Sequence, residues 1–95
     1  MQDNIFQKLE AGEVTNNDLF YARKSNQIQT LYKAVDQRFI KNNSGGFYTE
    51  TIYHIKVTTP HKTYYFKDIV YDAPWQLGGN SGQIRKLTPI KQEDF

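Results

Sequence analysis

Residues 47–72, FYTETIYHIKVTTPHKTYYFKDIVYD, constrain most strongly what this chain can fold into. Two runs rich in Thr, Tyr, Ile and Val flank a short Thr-Pro-His-Lys stretch, and such residues suit a pleated, half-buried surface joined by a turn. In the first run Thr51, Tyr53, Ile55 and Val57 fall on one face and Ile52, His54, Lys56 and Thr58 on the other. In the second, Tyr64, Phe66, Asp68 and Val70 share one face, and Thr63, Tyr65, Lys67, Ile69 and Tyr71 share the other, unless a bulge near Lys67 and Asp68 switches the phase. Only one face of a hairpin can be covered. The set with Thr63 and Lys67 suits solvent, so Tyr64, Phe66 and Val70 are expected inward. The loop APWQLGGNSGQ then leads to IRKLTPI, read as a third, shorter strand whose Pro89 favours an edge or a strand end.

Three antiparallel strands need a cover for their apolar face, and the first half of the chain supplies helix signals. Ile5, Phe6 and Leu9 recur at helical spacing, with Asp3 placed to cap the start and Gly12 to end the helix. Thr15-Asn-Asn-Asp18 has the form of a capping box ahead of Leu19 and Phe20. Downstream, Ile28, Leu31, Tyr32, Val35 and Phe39 recur as one helical face, and Asn42 to Gly46 end the pattern. Ser25 and Asn26 are weak helix formers, so residues 18–41 form one long helix or two helices with a kink. The expected fold is α+β: N-terminal helices, one long or kinked, packed on a three-stranded antiparallel meander. Residues 1–95 form a single domain with no repeat.

Aromatic residues make up 15% of the chain while the mean hydropathy is −0.74, which indicates a core of a few large rings in a polar chain and argues against disorder. Twelve basic against ten acidic residues leave a net charge of +2, far from the field of a dedicated duplex binder. The chain has no cysteine, which removes disulfides, thiolate metal sites and cysteine nucleophiles. The N-terminal residues lack a basic region followed by an apolar run, and no 18-residue apolar stretch occurs, so a soluble, cytoplasmic protein without membrane contact is expected.

No set of residues names a reaction, and no enzyme, cofactor or metal is expected. Gly79-Asn80-Ser81-Gly82 resembles the nucleophile loop of some secreted serine endopeptidases. Those enzymes need a double barrel about twice this length and an oriented base, so a Gly-rich connection accounts for the string better. His54 and His61 lie across the expected turn with no clustered carboxylate to complete a tetrahedral site. The Gly-rich loop also lacks the Lys and Ser/Thr of a phosphate cradle.

Binding remains, in two forms. Trp75, the single tryptophan, sits in a Pro- and Gly-bounded loop near Arg85, where it either plugs one end of the core or anchors an interface, and Trp, Tyr and Arg dominate interface energies when a partner buries them. The first expectation is therefore a non-enzymatic protein-binding module, an adaptor or inhibitor that occludes a partner's surface. Small, cysteine-free, motif-free chains of this type are common among phage and mobile-element products that modulate host machinery. The alternative is a nucleic-acid-binding accessory protein in which Tyr65, or Tyr53, stacks on bases while Lys56, Lys67, Arg85 and Lys86 meet phosphates. A homodimer through a sheet edge is a further expectation.

Overall fold

A computed structural model describes residues 4–41, 46–72 and 84–95. The chain runs α1 (Ile5–Ala11), α2 (Asn16–Lys24), β1 (Gln29–Lys41), β2 (Phe47–Thr58), β3 (Thr63–Asp72), β4 (Thr88–Pro89) and a 3-10 turn at Gln92–Asp94. The four strands form one antiparallel sheet in chain order, β1-β2-β3-β4. The class is α+β as expected, with two short helices and one strand more than the sequence suggested.

Both helices have the ends their residues specify. Asn4, rather than Asp3, caps α1 through a hydrogen bond that its side chain accepts from the Phe6 N–H, and Asp3 lies outside the described residues. Gly12 ends α1 at φ 70°, and a Cβ there would come within 2.9 Å of the Pro89 ring, so glycine is required by backbone and packing alike. At α2 the capping box is complete: Thr15 Oγ1 accepts from the Asp18 N–H and Asp18 accepts from the Thr15 N–H. Desolvation works against the Asp18 carboxylate, but these bonds and Lys8 outweigh it and hold its pKa below the ordinary value.

The helix expected over residues 18–41 ends at Lys24, and Gln29–Lys41 form the long strand β1 instead. The alternation of β1 slips at Val35, because Ala34 pairs with Tyr53 and Asp36 with the adjacent Ile52. Thr30, Tyr32 and Ala34 share the helix-covered face with Val57, Ile55 and Tyr53, whereas beyond the slip Gln37 and Phe39 occupy that face. A strand whose phase changes once loses its period-2 signature, and the leftover spacing of Leu31, Val35 and Phe39 by fours imitates a helix. Lys41 pairs with Phe47, while the helix end expected at residues 42–46 falls largely outside the described residues. Leu31 is 58% and Phe39 79% exposed, so the expected stripe is surface rather than core, Ile28 excepted.

The core lies under α1 and α2 at one end of the sheet. It comprises Ile5, Leu9, Val14, Leu19, Ala22, Ile28, Ile55, Val57, Phe66 and Leu87, with Phe6, Tyr53 and Tyr64 packed against it. Tyr64 and Phe66 point inward as anticipated, opposite Val57 and Ile55, and Val70 shares their face but lies beyond the core. The β2–β3 register runs without a slip from Thr49–Asp72 to Thr58–Thr63, and Thr59 closes the turn by bonding to Lys62. Of the expected strand at 84–90 only Thr88 and Pro89 pair with β3. Residues 85–87 instead bond to the α1–α2 connection, with Leu87 N–H donating to Val14 O and Asn16 N–H to Arg85 O.

Candidate interaction surfaces

Two surfaces remain after the core is formed. The first is the face of the sheet opposite the helices. Cross-strand pairing sets Leu31, Lys56 and Tyr65 in one row and Lys33, His54 and Lys67 in the next, which gathers three lysines on one face. Neither Lys56 nor Lys67 has an ion pair or side-chain hydrogen bond among the described residues. The C-terminal residues cross this face: the Ile90 N–H donates to Tyr65 O, and the Phe95 ring lies 5.4 Å from that of Tyr65. Lys33 Nζ sits 5.2 Å from the Phe95 ring centre and donates to its main-chain oxygen at 2.7 Å. His54 Nδ1 is buried without a partner. Further along, the rings of Tyr48 and Tyr71 meet at 5.8 Å.

Of the residues singled out in the sequence, Tyr65, Lys56 and Lys67 come together here. Arg85 and Lys86 do not join them. Arg85 forms a two-pronged pair with Asp68, which is 3% exposed and stands on the helix-covered face. Lys86 pairs with Glu13 at 2.6 Å. Tyr53 also faces the helical layer, and its ring meets that of Tyr32 edge-on. Trp75 and the Gly-Asn-Ser-Gly string lie outside the described residues. The two histidines are apart as well, since His61 packs edge-on against Phe6. Among the described residues no three His, Cys, Asp or Glu side chains cluster as a metal site, and no helix is long and apolar enough to cross a membrane.

The second surface is the free side of β1. Thirteen residues run along the sheet edge, and all but Thr30 and Ile40 are exposed. Apart from the ladder to β2, no main-chain hydrogen bond to another main-chain group involves this strand among the described residues. Leu31, Tyr32, Val35 and Phe39 project from it, and Phe47 stands beside them on β2. The helices back only the half of the sheet around Ile55 and Phe66, and among the described residues no helix covers the other half. At the opposite edge β4 pairs with Phe66 and Lys67 of β3, and Pro89 offers no N–H to a further strand.

This edge is hidden in the sequence because Leu31, Val35 and Phe39 recur at a spacing of four, like the core side of a helix. The β-branched and aromatic members of QTLYKAVDQRFIK were the available signal. Nothing periodic marks Lys33 or Phe95. Comparisons with protein-family models, with curated proteins and with solved structures find no match.

Proposed function

We propose that the protein is a non-enzymatic protein-binding module, an adaptor or inhibitor, that engages an extended segment of a partner along β1. The supporting observation is the edge itself: a thirteen-residue strand with a free side and with Leu31, Val35 and Phe39 exposed. Long exposed edges are ordinarily blunted, because their main-chain groups recruit another strand and the projecting side chains add selectivity. Here Lys33, Asp36, Arg38 and the slip at Val35 restrict pairing without closing the edge. The test is capture from the native cell lysate, with and without nuclease, using wild type and Leu31→Lys/Phe39→Lys. Partners that survive nuclease and are lost with the variant are expected; partners retained by the variant would take β1 out of the function.

A second reading is supported by Lys33, Lys56 and Lys67 around Tyr65 on the open face, the arrangement by which single-stranded nucleic acid is held. Phe95 already occupies the Tyr65 ring, which weighs against this reading. Three phosphate contacts imply a slope of about −2 in log affinity against log salt. Salt-independent binding of a mixed-sequence oligonucleotide, or none below about 100 μM, would exclude it.

A further inference from the structure

We infer that the occupant of the β1 edge is a second copy of this chain, paired antiparallel about a two-fold axis between Ala34 and Val35; this rests on reading β1 as the binding edge. The axis sets Lys33 opposite Asp36 of the second copy, and the symmetry makes that charge pair twice. On the same open face Leu31 meets the stem of Arg38, while on the helical face Tyr32 meets Gln37 and Thr30 meets Phe39. The slip at Val35 makes this register self-consistent. Even-numbered residues before it and odd-numbered residues after it share the helical face, so each half of β1 matches the other half of its copy.

Neighbouring registers fail on the same residues. A shift of one sets helical-face residues against open-face ones. A shift of two sets Lys33 against Arg38 in one direction and Asp36 against Leu31 in the other. The charges that guard the edge against strange strands therefore complement one another across the slip in this alignment and not in its neighbours.

The pairing also brings cover to the part of β1 that the helices do not reach. It carries Phe39 of each copy to Thr30 of the other, beneath α2. There Arg23 donates to Thr30 Oγ1 at 3.0 Å and to the Tyr32 hydroxyl at 3.1 Å. Phe20, one turn earlier on α2 and 48% exposed, lies three residues from Arg23 on the same side of that helix. Phe39 of one copy, the most exposed ring among the described residues, thus reaches the exposed ring Phe20 and the guanidinium of Arg23 in the other, and the two sheets become one of eight strands.

Sedimentation of the full chain tests this. A dimer at micromolar concentration is expected, and Lys33→Glu or Asp36→Lys alone should weaken it about 10- to 100-fold by replacing two opposite-charge pairs with two like-charge pairs. Mixing the two variants in equal amounts should restore dimers as the heterodimer, which also proves both variants folded. Since the chain has no cysteine, spin labels at Ala34→Cys should lie close together and those at Lys41→Cys about 43 Å apart, thirteen residues along the ladder. A wild type that stays monomeric at 100 μM, or a dimer indifferent to both reversals, overturns the inference. If that monomer still captures a partner that Leu31→Lys/Phe39→Lys loses, strand addition to β1 survives and only the second copy is wrong.

Discussion

Phe66 and Phe39 are the same residue on the same face of the same sheet, yet one is 1% and the other 79% exposed. Phe66 lies where Leu9, Leu19 and Leu87 close over β2 and β3; Phe39 lies on the extension of β1 beyond the reach of two helices of seven and nine residues. The cover, not the strand, decides which ring holds the monomer together. Apolar residues on a free sheet edge are where a further strand can add contacts, and for that reason the binding role is proposed for β1 rather than for the helix-covered end.

The largest test of that contrast is truncation of each ring. Phe66→Ala should cost about 3 to 5 kcal/mol in denaturant unfolding, because it opens a cavity in a closed core. Phe39→Ala and Leu31→Ala should each stay within about 0.5 kcal/mol at concentrations where the chain is monomeric. Comparable losses from Phe39 and Phe66 would break the distinction between the halves.

The ion pairs give the next contrast. Arg85→Ala leaves Asp68 buried without its partner, and a loss of about 2 to 3 kcal/mol is expected, below the full cost of an orphaned buried charge because the guanidinium keeps some solvent. Arg38→Ala removes an exposed pair with Asp36, made between two residues of one strand, and should change stability by less than about 0.5 kcal/mol. Thermal melts of the two variants side by side read the difference directly.

What could be read in the sequence follows the same division. Where a helix or strand buries one face, its pattern was legible: the Thr15–Asp18 box, the Gly12 terminus, the alternation of β2 and the inward set of β3 are all where the residues indicated. β1 was not legible, because little of it is buried and its phase slips at Val35, so neither burial nor a steady period shaped its side chains. The site residues divide similarly. Lys56, Tyr65 and Lys67 follow from local alternation, whereas Arg85 joins Asp68 through a contact seventeen residues away that no spacing encodes. Phe95 reaches Lys33 across sixty-two positions.

A smaller effect is expected at the capped end of the covered half. Thr15→Ala removes the hydrogen bond that Thr15 Oγ1 accepts from the Asp18 N–H and should cost about 1 kcal/mol. The other half of the box and the Lys8 pair remain on Asp18. Urea midpoints would show it, and an unchanged midpoint would mean that packing of Leu19 and Ala22 alone sets the start of α2.

The smallest effect comes from a surface latch, and it separates the halves by pH. Tyr64 donates its hydroxyl to Glu10 at 2.7 Å, and Lys62 Nζ lies 3.0 Å from the same carboxylate, so α1 is tied to the start of β3; among the described residues the distal half has no such tie to a helix. The bond to Glu10 pushes the Tyr64 phenol up to about 12, and the same bond, with Lys62, holds Glu10 below its ordinary value. A raised folded pKa favours the protonated phenol, so its stabilising contribution is complete below pH 10, the ordinary value, and is lost as pH rises through about 12. For Glu10 the sign reverses: the contribution is present above pH 4.5 and is lost as pH falls through the depressed value. Ultraviolet titration of the tyrosinate band should therefore show one of the seven tyrosines ionising late, and Glu10→Gln should return it toward the others. If Glu10→Gln leaves the late step in place while Tyr64→Phe removes it, the phenol is held by its packing at the core margin, and the latch contributes nothing to the difference between the two halves.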